Sequence, residues 1–321
     1  MKGIKEKKVF VTGGAGFIGN SFCRKLISYG AEVTVYDNLS NGREELIKDL
    51  IGKENFRFIK SDLLDQNAVD SEIKKCKPDV IIHLAANSNV QNGIKNNRLD
   101  LDQGTIATFN VLDAARKNDV KDILFSSSSV VYGIADVLPT PETYGPLKPI
   151  SFYGASKLAC EGLVTAFSNM YGMNYYIYRF ANIVGENLTH GVILDFARKL
   201  KENNNKLDVL GNGKQRKSYM EVMDCINAML FVYEKSKSNG NVYNLSLDDQ
   251  ITVRDIAEIV VERMAPKARI TYTENNAGWP GDVPNSFLSN KKLKDLGFSP
   301  KYKTSREVIL HTLEYNKNVI Y

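Results

Sequence analysis

Residues 8–19, KVFVTGGAGFIG, place a short apolar strand directly before a glycine-rich turn and the beginning of a helix. Gly13, Gly16 and Gly19 permit a tight turn, let the backbone approach a pyrophosphate and allow the helix to pack closely on its strand. The N-terminus of that helix offers free N–H groups and the positive end of its dipole to phosphates. Strand, turn and helix in this order predict a dinucleotide-binding βαβ unit.

An acidic residue closes the second strand of this unit. Residues 32–36 follow a strand pattern, and Asp37 comes next, 18 residues after Gly19. A carboxylate at this position accepts hydrogen bonds from the ribose hydroxyls of adenosine and repels a 2′-phosphate. The sequence therefore predicts that the cofactor is NAD rather than NADP.

Strand and helix patterns alternate through the first half of the chain. Apolar runs predict strands at 8–12, 32–36, 56–59, 80–84, 122–125 and 175–179, and helical spacing predicts helices at 17–29, 67–75, 100–117 and 153–171. This alternation predicts an α/β fold, a Rossmann-like doubly wound parallel sheet. We expect residues 1–180 to form the NAD-binding domain, with some later segments returning to it. Shorter elements in residues 181–321 predict a smaller mixed lobe, which we expect to bind mainly the substrate.

The composition excludes several other classes of protein. The 321 residues carry 42 Lys and Arg against 37 Asp and Glu, and the basic residues form short pairs rather than a stripe, so no nucleic-acid partner is expected. Four Cys and three His are scattered, so neither a disulfide framework nor a metal site is expected. The sequence has no apolar run near the ~20 residues of a membrane helix, and we expect a soluble cytoplasmic protein without a membrane partner.

Two segments predict chemistry at the carboxyl ends of the strands. Tyr153 and Lys157 lie four residues apart at the beginning of a predicted helix, so that the phenol and the ammonium share one face. The ammonium would favour the phenolate and make Tyr153 a base for a hydroxyl proton. Residues 125–133, FSSSSVVYG, follow a strand and offer a hydroxyl to the oxygen that loses its proton.

These segments together resemble the extended short-chain dehydrogenase/reductases, in particular the NAD-dependent sugar-nucleotide epimerase/dehydratase family and its UDP-glucose 4-epimerase-like members. The motifs that carry the resemblance occur in the family's order: TGGAGFIG, YDNLSNG, HLAA at 83–86, SSSSVVYG, YGASK, RFANIVG at 179–185 and GWPGDVP at 278–284. The resemblance covers nearly the whole chain.

The resemblance implies roles for individual positions. Ser128, four residues before Tyr132, would be the catalytic hydroxyl, Tyr153 the base, and Lys157 its ribose-binding partner. Contacts to NAD are implied at Gly13, Gly16, Phe17, Ile18, Gly19, Asp37, Asn38, Asp62, Leu63, Leu84, Ala85, Ala86, Tyr153 and Lys157. Contacts to a nucleotide-diphosphate sugar are implied at Ser128, Asn182, Val192, Leu207, Val209, Lys217, Asp282 and Ser286.

The implied reaction is 4-epimerisation of a nucleotide sugar through a transient 4-keto sugar, with a UDP-hexose or UDP-N-acetylhexosamine as substrate. Ser129 and Val130 stand where the family's dehydratases have Asp-Glu, which disfavours a dehydratase. A 4-dehydrogenase or 4-ketoreductase would use the same catalytic group, and a non-catalytic dinucleotide sensor is a third reading. All three stay open.

The chain departs from its relatives at several positions near the implied site. Gly104 stands where relatives commonly carry Asn, and Lys217 and Trp279 stand where they commonly carry Arg. Lys binds a phosphate as a point charge and Arg binds it bidentately, so the identity of the nucleotide is less secure than the reaction. The small Ser286 predicts room for a bulky substituent at C2 of the sugar. The two long helices, 100–117 and 153–171, predict a homodimer through a four-helix bundle.

Overall fold

The computed structural model describes residues 3–88, 90–236, 240–275 and 278–316. Its strands are β1 Lys8–Thr12, β2 Glu32–Asp37, β3 Phe56–Lys60, β4 Val80–His83, β5 Asp122–Ser128, β6 Asn174–Phe180, β7 Asn182–Val184, β8 Lys206–Val209, β9 Arg216–Lys217, β10 Tyr219–Glu221, β11 Gly240–Leu245, β12 Ile251–Thr252, β13 Arg269–Tyr272 and β14 Asn285–Ser286. Its α-helices are α1 Phe17–Ser28, α2 Gln66–Cys76, α3 Val90–Lys95, α4 Arg98–Asp100, α5 Ala107–Lys117, α6 Phe152–Tyr171, α7 Val192–Glu202, α8 Val222–Lys235, α9 Val253–Met264, α10 Lys291–Asp295 and α11 Ser305–Tyr315.

Seven strands form one parallel sheet in the order β3-β2-β1-β4-β5-β6-β11. The chain runs outward from β1 in one direction, then returns to β4 on the other side of β1. A cleft therefore opens at the carboxyl ends of β1 and β4, where ligands bind in folds of this type. The predicted doubly wound α/β fold is confirmed.

Apolar strands pack against helices on both faces of this sheet. Val9 and Val11 face one core, whereas Phe10 faces the other, and all three are at most 1% exposed. A strand that alternates between two apolar faces reads as a continuous apolar run, which is why the pattern at 80–84 predicts a buried strand. β11 comes from the second half of the chain and forms the edge of the sheet beside β6.

The helix α6 carries the predicted Tyr and Lys motif. Ser151 caps its N-terminus by accepting a hydrogen bond from the N–H of Gly154 at 3.1 Å, and Gly172 ends it with a φ of +67°. Such caps satisfy backbone groups that a helix leaves free at its ends. The cap at Ser151 fixes where the first turn begins and therefore which residues face the sheet.

The single helix predicted over 100–117 is wrong in its first turns. α4 ends at Asp100, residues Leu101–Ile106 form a π-helical turn, and α5 begins only at Ala107. A π turn inserts one extra residue, and such turns are frequent at functional sites. Helical periodicity in the sequence does not reveal one inserted residue.

Smaller sheets and helices make up the rest of the second half. β7 pairs with β10, β8 with β13, and β9 lies between β12 and β14. Among the described residues, every helix is too short or too polar to cross a membrane.

Candidate active site

The glycine-rich turn lies at the carboxyl end of β1, where the strand order reverses. Gly19 approaches this turn so closely that a Cβ atom on it would lie 2.1 Å from the carbonyl oxygen of Gly13. Only a residue without a side chain permits this contact. Gly13, Gly16, Phe17, Ile18 and Gly19 all line one large cavity.

This cavity has a volume of about 810 Å³ and is lined by residues from the glycine-rich turn, from the carboxyl ends of the strands and from the second half of the chain. A cleft of this size suits a cofactor or a small ligand. Leu84, Ala85 and Ala86, which follow β4, line it as the resemblance implies. The cavity therefore joins the predicted cofactor residues to the predicted catalytic residues.

Asp37 lies on the cavity wall at the end of β2 and is 8% exposed. Its Oδ2 accepts a hydrogen bond from the N–H of Ala15 at 3.0 Å, and its Oδ1 accepts one from Leu39 at 2.9 Å. Burial raises the pKa of Asp37, and the two N–H donors oppose that rise. A carboxylate accepts about four hydrogen bonds, so each oxygen retains capacity for a ribose hydroxyl.

Asp62 contacts the wall of the cavity, which Asn38, Leu63 and Gln103 line. The Oδ2 of Asp62 accepts a hydrogen bond from Asn38 Nδ2 at 2.8 Å and one from Gln103 Nε2 at 3.4 Å. Asp62 is thus placed to hold Asn38 and Gln103 in position.

The predicted catalytic side chains meet at the carboxyl end of β5. Lys157 is 4% exposed, and its Nζ donates a hydrogen bond to the carbonyl oxygen of Ser126 at 2.6 Å. Ser128 is close enough to the hydroxyl of Tyr153 to lower the pKa of that group, and Lys157 Nζ lies 5.8 Å from the centre of the Tyr153 ring. All of these residues line the cavity beside the glycine-rich turn.

Burial dominates the electrostatics of this group. Burial and the nearby Asp100 carboxylate raise the pKa of Tyr153, against a lowering by the hydrogen bond from Ser128. Burial also lowers the pKa of Lys157 to about 8. The sequence predicts a lowered Tyr153 pKa. In the protein alone, removal of the phenolate from water outweighs the lowering of the pKa by Ser128.

The second half of the chain supplies the far wall of the cavity, which includes Asn182, Val192, Lys217, Asp282 and Ser286. Lys217 Nζ and Asp282 Oδ1 form an ion pair at 2.5 Å, with the two side chains 18% and 4% exposed. β14 pairs with β9, which places Ser286 opposite Lys217. Five of the implied sugar-nucleotide contacts therefore lie on one surface.

Leu207 and Val209 do not lie on this surface. They are 0% and 1% exposed and belong to the hydrophobic core, because both point inward from β8. Leu210, the next residue, lines the cavity and is 51% exposed. The end of β8 therefore borders the cavity, but the alternation of side chains along the strand turns Leu207 and Val209 away from it.

Several residues that line the cavity are not among the contacts that the sequence predicts. Trp279 lines the cavity beneath Lys217, whose Nζ lies 5.5 Å from the ring, and Arg198, Gln215 and Tyr219 contribute to the same wall. Trp279 stands out in the sequence only as a departure from the relatives. Arg198 lies on α7, 13 residues after the end of the RFANIVG motif, and no pattern predicts it.

Gly104 lies in the π-helical turn and faces the catalytic helix. A Cβ atom on it would lie 2.0 Å from the Oγ of Ser156, which itself contacts the Thr105 hydroxyl at 3.1 Å. The hydroxyl of Ser156 therefore occupies the space that a side chain at 104 would need. Gln103, the preceding residue, is the one that reaches the cavity.

Comparison with known proteins identifies the class to which this fold and site belong. The model of the NAD dependent epimerase/dehydratase family matches residues 9–246. The chain belongs to this family of enzymes, and its cofactor is NAD. The glycine cradle, the Asp37 carboxylate and the lining of the cavity fit that cofactor.

Individual relatives are similar over their full length. A putative UDP-glucose 4-epimerase of Methanocaldococcus jannaschii is 30% identical over 315 residues, which cover 97% of this chain and 98% of the relative. A crystal structure of a UDP-galactose 4-epimerase is 37% identical with a TM-score of 0.87, and covers 98% of this chain and 100% of its own. The Thermotoga maritima UDP-glucose 4-epimerase with UDP-glucose is 30% identical with a TM-score of 0.88 and the same coverage.

Proposed function

We propose that this protein is a nucleotide-sugar 4-epimerase that acts on a UDP-hexose or a UDP-N-acetylhexosamine through a transient 4-keto sugar. The observation that carries the proposal is the group of Ser128, Tyr153 and Lys157 beside the glycine-rich turn in one cavity. The names of the similar proteins support UDP as the nucleotide.

Each member of the group has a distinct task in this proposal. Tyr153, as phenolate, takes the proton of the sugar 4′-hydroxyl and returns it to the same oxygen when the keto sugar is reduced, so that no net proton is lost. Ser128, beside the hydroxyl of Tyr153, supports that oxygen. Lys157, held by the Ser126 carbonyl at 2.6 Å, keeps a positive charge beside the phenol. NAD supplies the redox chemistry at C4′.

The residues after Ser128 favour epimerisation over dehydration. Ser129 is a hydroxyl and Val130 is apolar, and both line the cavity. Neither can act as the acid and base that elimination of water requires. The sugar is therefore oxidised and reduced at C4′ without loss of water.

The wall around Ser286 supports a bulky substituent at C2 of the sugar. Ser286 lines the cavity and sits opposite Lys217 in the β9–β14 pair. A small side chain here leaves space that an acetamido group could occupy. We therefore include UDP-N-acetylhexosamines among the substrates.

A turnover assay tests the proposal. The purified protein is incubated separately with UDP-galactose and UDP-N-acetylgalactosamine without added NAD or reductant, and the products are separated by anion exchange. We expect the gluco epimer of at least one substrate, with no accumulation of NADH. A ketone with stoichiometric NADH would instead indicate a 4-dehydrogenase, and bound NAD without turnover of either substrate would indicate a dinucleotide-binding sensor.

The homodimer is also a proposal. α5 and α6 leave large apolar side chains exposed, among them Phe109 at 41%, Tyr171 at 47% and Met170 at 73%. Apolar surface on neighbouring helices favours burial against a second copy. The cytoplasmic location stays a prediction.

A further inference from the structure

Asp100 is a buried carboxylate with an incomplete set of hydrogen bonds. Its residue is 2% exposed, and its Oδ1 accepts a hydrogen bond from Asn87 Nδ2 at 2.9 Å. Its Oδ2 is buried and has no hydrogen-bond partner within the described ranges. A buried charged oxygen is costly when it is left unpaired, so its retention needs an explanation.

The position of Asp100 relates it to the catalytic helix. It ends α4, directly before the π-helical turn that packs on α6. A Cβ atom on Gly93 would lie 2.2 Å from Asp100 Oδ2 and 3.9 Å from the Cβ of Phe152. The unpaired oxygen therefore lies near the first residue of α6, and Tyr153 is the second.

Few other charges face the catalytic pair. On α6 itself, Cys160 and Glu161 act on Lys157, and Cys160 acts on Tyr153. From β4, His83 faces Lys157, but burial lowers its pKa to about 3 and keeps it neutral. Ser128 contributes a hydrogen bond to Tyr153 from the end of β5.

Of the two carboxylates that act on Lys157, Glu161 already has a cation of its own. Its two oxygens accept hydrogen bonds from Arg179 at 2.9 and 2.7 Å. Asp100 acts on both Tyr153 and Lys157 and forms no ion pair in the part of the chain described. Burial raises the pKa of Asp100 itself, and the hydrogen bond from Asn87 and the charge of Lys157 oppose that rise. Lys157 is therefore the cation that stabilises the Asp100 carboxylate in return.

We propose that Asp100 is a positioning residue of the Tyr153–Lys157 pair, and that its negative charge keeps Lys157 protonated inside the protein. The inference rests on the proposed function, because the pair acts as a proton acceptor and its cation. The same negative charge opposes ionisation of Tyr153. Loss of the charge therefore lowers the pKa of both groups, and both limbs of a pH–rate profile move in one direction.

The first test is the pH profile of kcat/KM for Asp100→Asn with the UDP-sugar that the enzyme turns over. This variant keeps the shape of the side chain and can still accept from Asn87. We expect both limbs of the profile to move by about one unit to lower pH, the range usual for a nearby charge. A lower rate with both limbs unmoved would mean a structural role and overturn the proposal.

Asp122→Asn is the matched control. Asp122 is 6% exposed and accepts hydrogen bonds from Tyr233 and Asn174, each at 2.7 Å. It lies at the opposite, amino-terminal end of β5 from Ser128. We expect both limbs of the pH–rate profile of Asp122→Asn to stay at their wild-type pH. A shift as large as that of Asp100→Asn would count against the proposal.

A second readout does not depend on turnover. The pKa of Lys157 is about 8 in the folded protein and about 10.4 in the unfolded chain, so the unfolded chain binds more protons between these values. The free energy of unfolding should therefore rise with pH across that window. The part of this rise that is due to Lys157 is the rise in the wild-type protein minus the rise in Lys157→Met.

In Asp100→Asn the Lys157-dependent rise should begin about one unit lower in pH. An unchanged onset would refute the role of Asp100 even if no substrate is found. If neither UDP-sugar reacts but the onset moves, the proposed function fails while the electrostatic role of Asp100 stands.

Discussion

Replacement of Gly104 by Ala tests the close contact between the π-helical turn and the catalytic helix. The added Cβ would lie 2.0 Å from the Oγ of Ser156, whereas ordinary carbon–oxygen contacts begin near about 3.3 Å. Alanine gains about 1 kcal/mol over glycine in a helix, and overpacking costs about 1–3 kcal/mol. The Ser156 hydroxyl can rotate away only by giving up its contact with Thr105, and the Ser156 Cβ would still lie 3.2 Å from the added atom. We therefore place the overpacking cost at about 2 kcal/mol and expect a net loss of about 1 kcal/mol.

The measurement is the melting temperature together with kcat. The unfolding entropy of about 2.1 cal/mol/K per residue makes 1 kcal/mol correspond to about 1.5 °C for a chain of 321 residues, so Gly104→Ala should melt about 1.5 °C lower. Its kcat should also fall, because the displaced turn presses on the helix that carries Tyr153 and Lys157.

Gly162→Ala is the matched control. Gly162 is an exposed residue of α6, the helix against which Gly104 packs, and an added Cβ on it would have nothing within 4 Å. It should melt at or above the wild-type temperature. Ser156→Ala in the Gly104→Ala background removes the clashing oxygen and should recover part of the loss, as a coupled pair of sites requires. If Gly104→Ala melts at the same temperature as Gly162→Ala, or if Ser156→Ala restores none of the lost stability, then Gly104 does not pack against Ser156 as closely as the structure shows.

Three further substitutions and the oligomeric state test the site. Tyr153→Phe should lower kcat by at least 10²-fold while NAD stays bound, which a single-turnover assay and a cofactor titration check together; a wild-type rate would eliminate Tyr153 as the base. Asp37→Ala should narrow the preference for NAD over NADP, because the 2′-phosphate no longer meets a carboxylate. The same ratio of NADP to NAD dissociation constants in the variant and the wild-type protein, measured by calorimetry, would contradict this. Ser286→Tyr should depress activity on a UDP-N-acetylhexosamine and spare the UDP-hexose, by exclusion from the pocket; equal effects on the two KM values would discard the assignment. Sedimentation at micromolar concentration should give a dimer, and Met170→Glu should weaken it; a wild-type monomer would refute the helix pairing.

The sequence predicts the sheet well because its signals are local. Each central strand is a short apolar run, and the glycine-rich turn joins β1 to α1 within a few residues. The roles that we predict for Asp37 and Lys157 follow from their positions at a strand end and on a helix face. The structure adds the hydrogen bonds that fix them, such as the one from Lys157 to Ser126.

The sequence fails where the deciding contact joins distant segments. The π-helical turn packs against Ser156, 52 residues after Gly104, and helical periodicity tolerates one extra residue. Leu207 and Val209 lie in the predicted segment, but the orientation of β8 turns both into the core. Asp100 carries no motif, and only its burial without a full set of partners draws attention to it.

The serine-rich segment shows how packing assigns different tasks to identical residues. Ser126 Oγ donates to the carbonyl of His83 at 3.1 Å, and Ser127 Oγ donates to Glu161 at 2.6 Å. Both hydroxyls are buried and donate their proton to a neighbouring element, so neither has a proton left to donate to a ligand.

Ser128 ends the strand, and its hydroxyl is the one that meets Tyr153. The Glu161–Arg179 pair behind it is buried, with side chains 7% and 6% exposed, and Arg179 also donates to the hydroxyl of Tyr132 at 2.9 Å. Breaking a buried pair of this kind costs about 3–5 kcal/mol, so the end of β5 is anchored to α6 and β6 at once. The hydroxyl that we propose as catalytic is therefore distinguished by the hydrogen bonds that the neighbouring serines make, which explains why composition alone does not single out one serine among four.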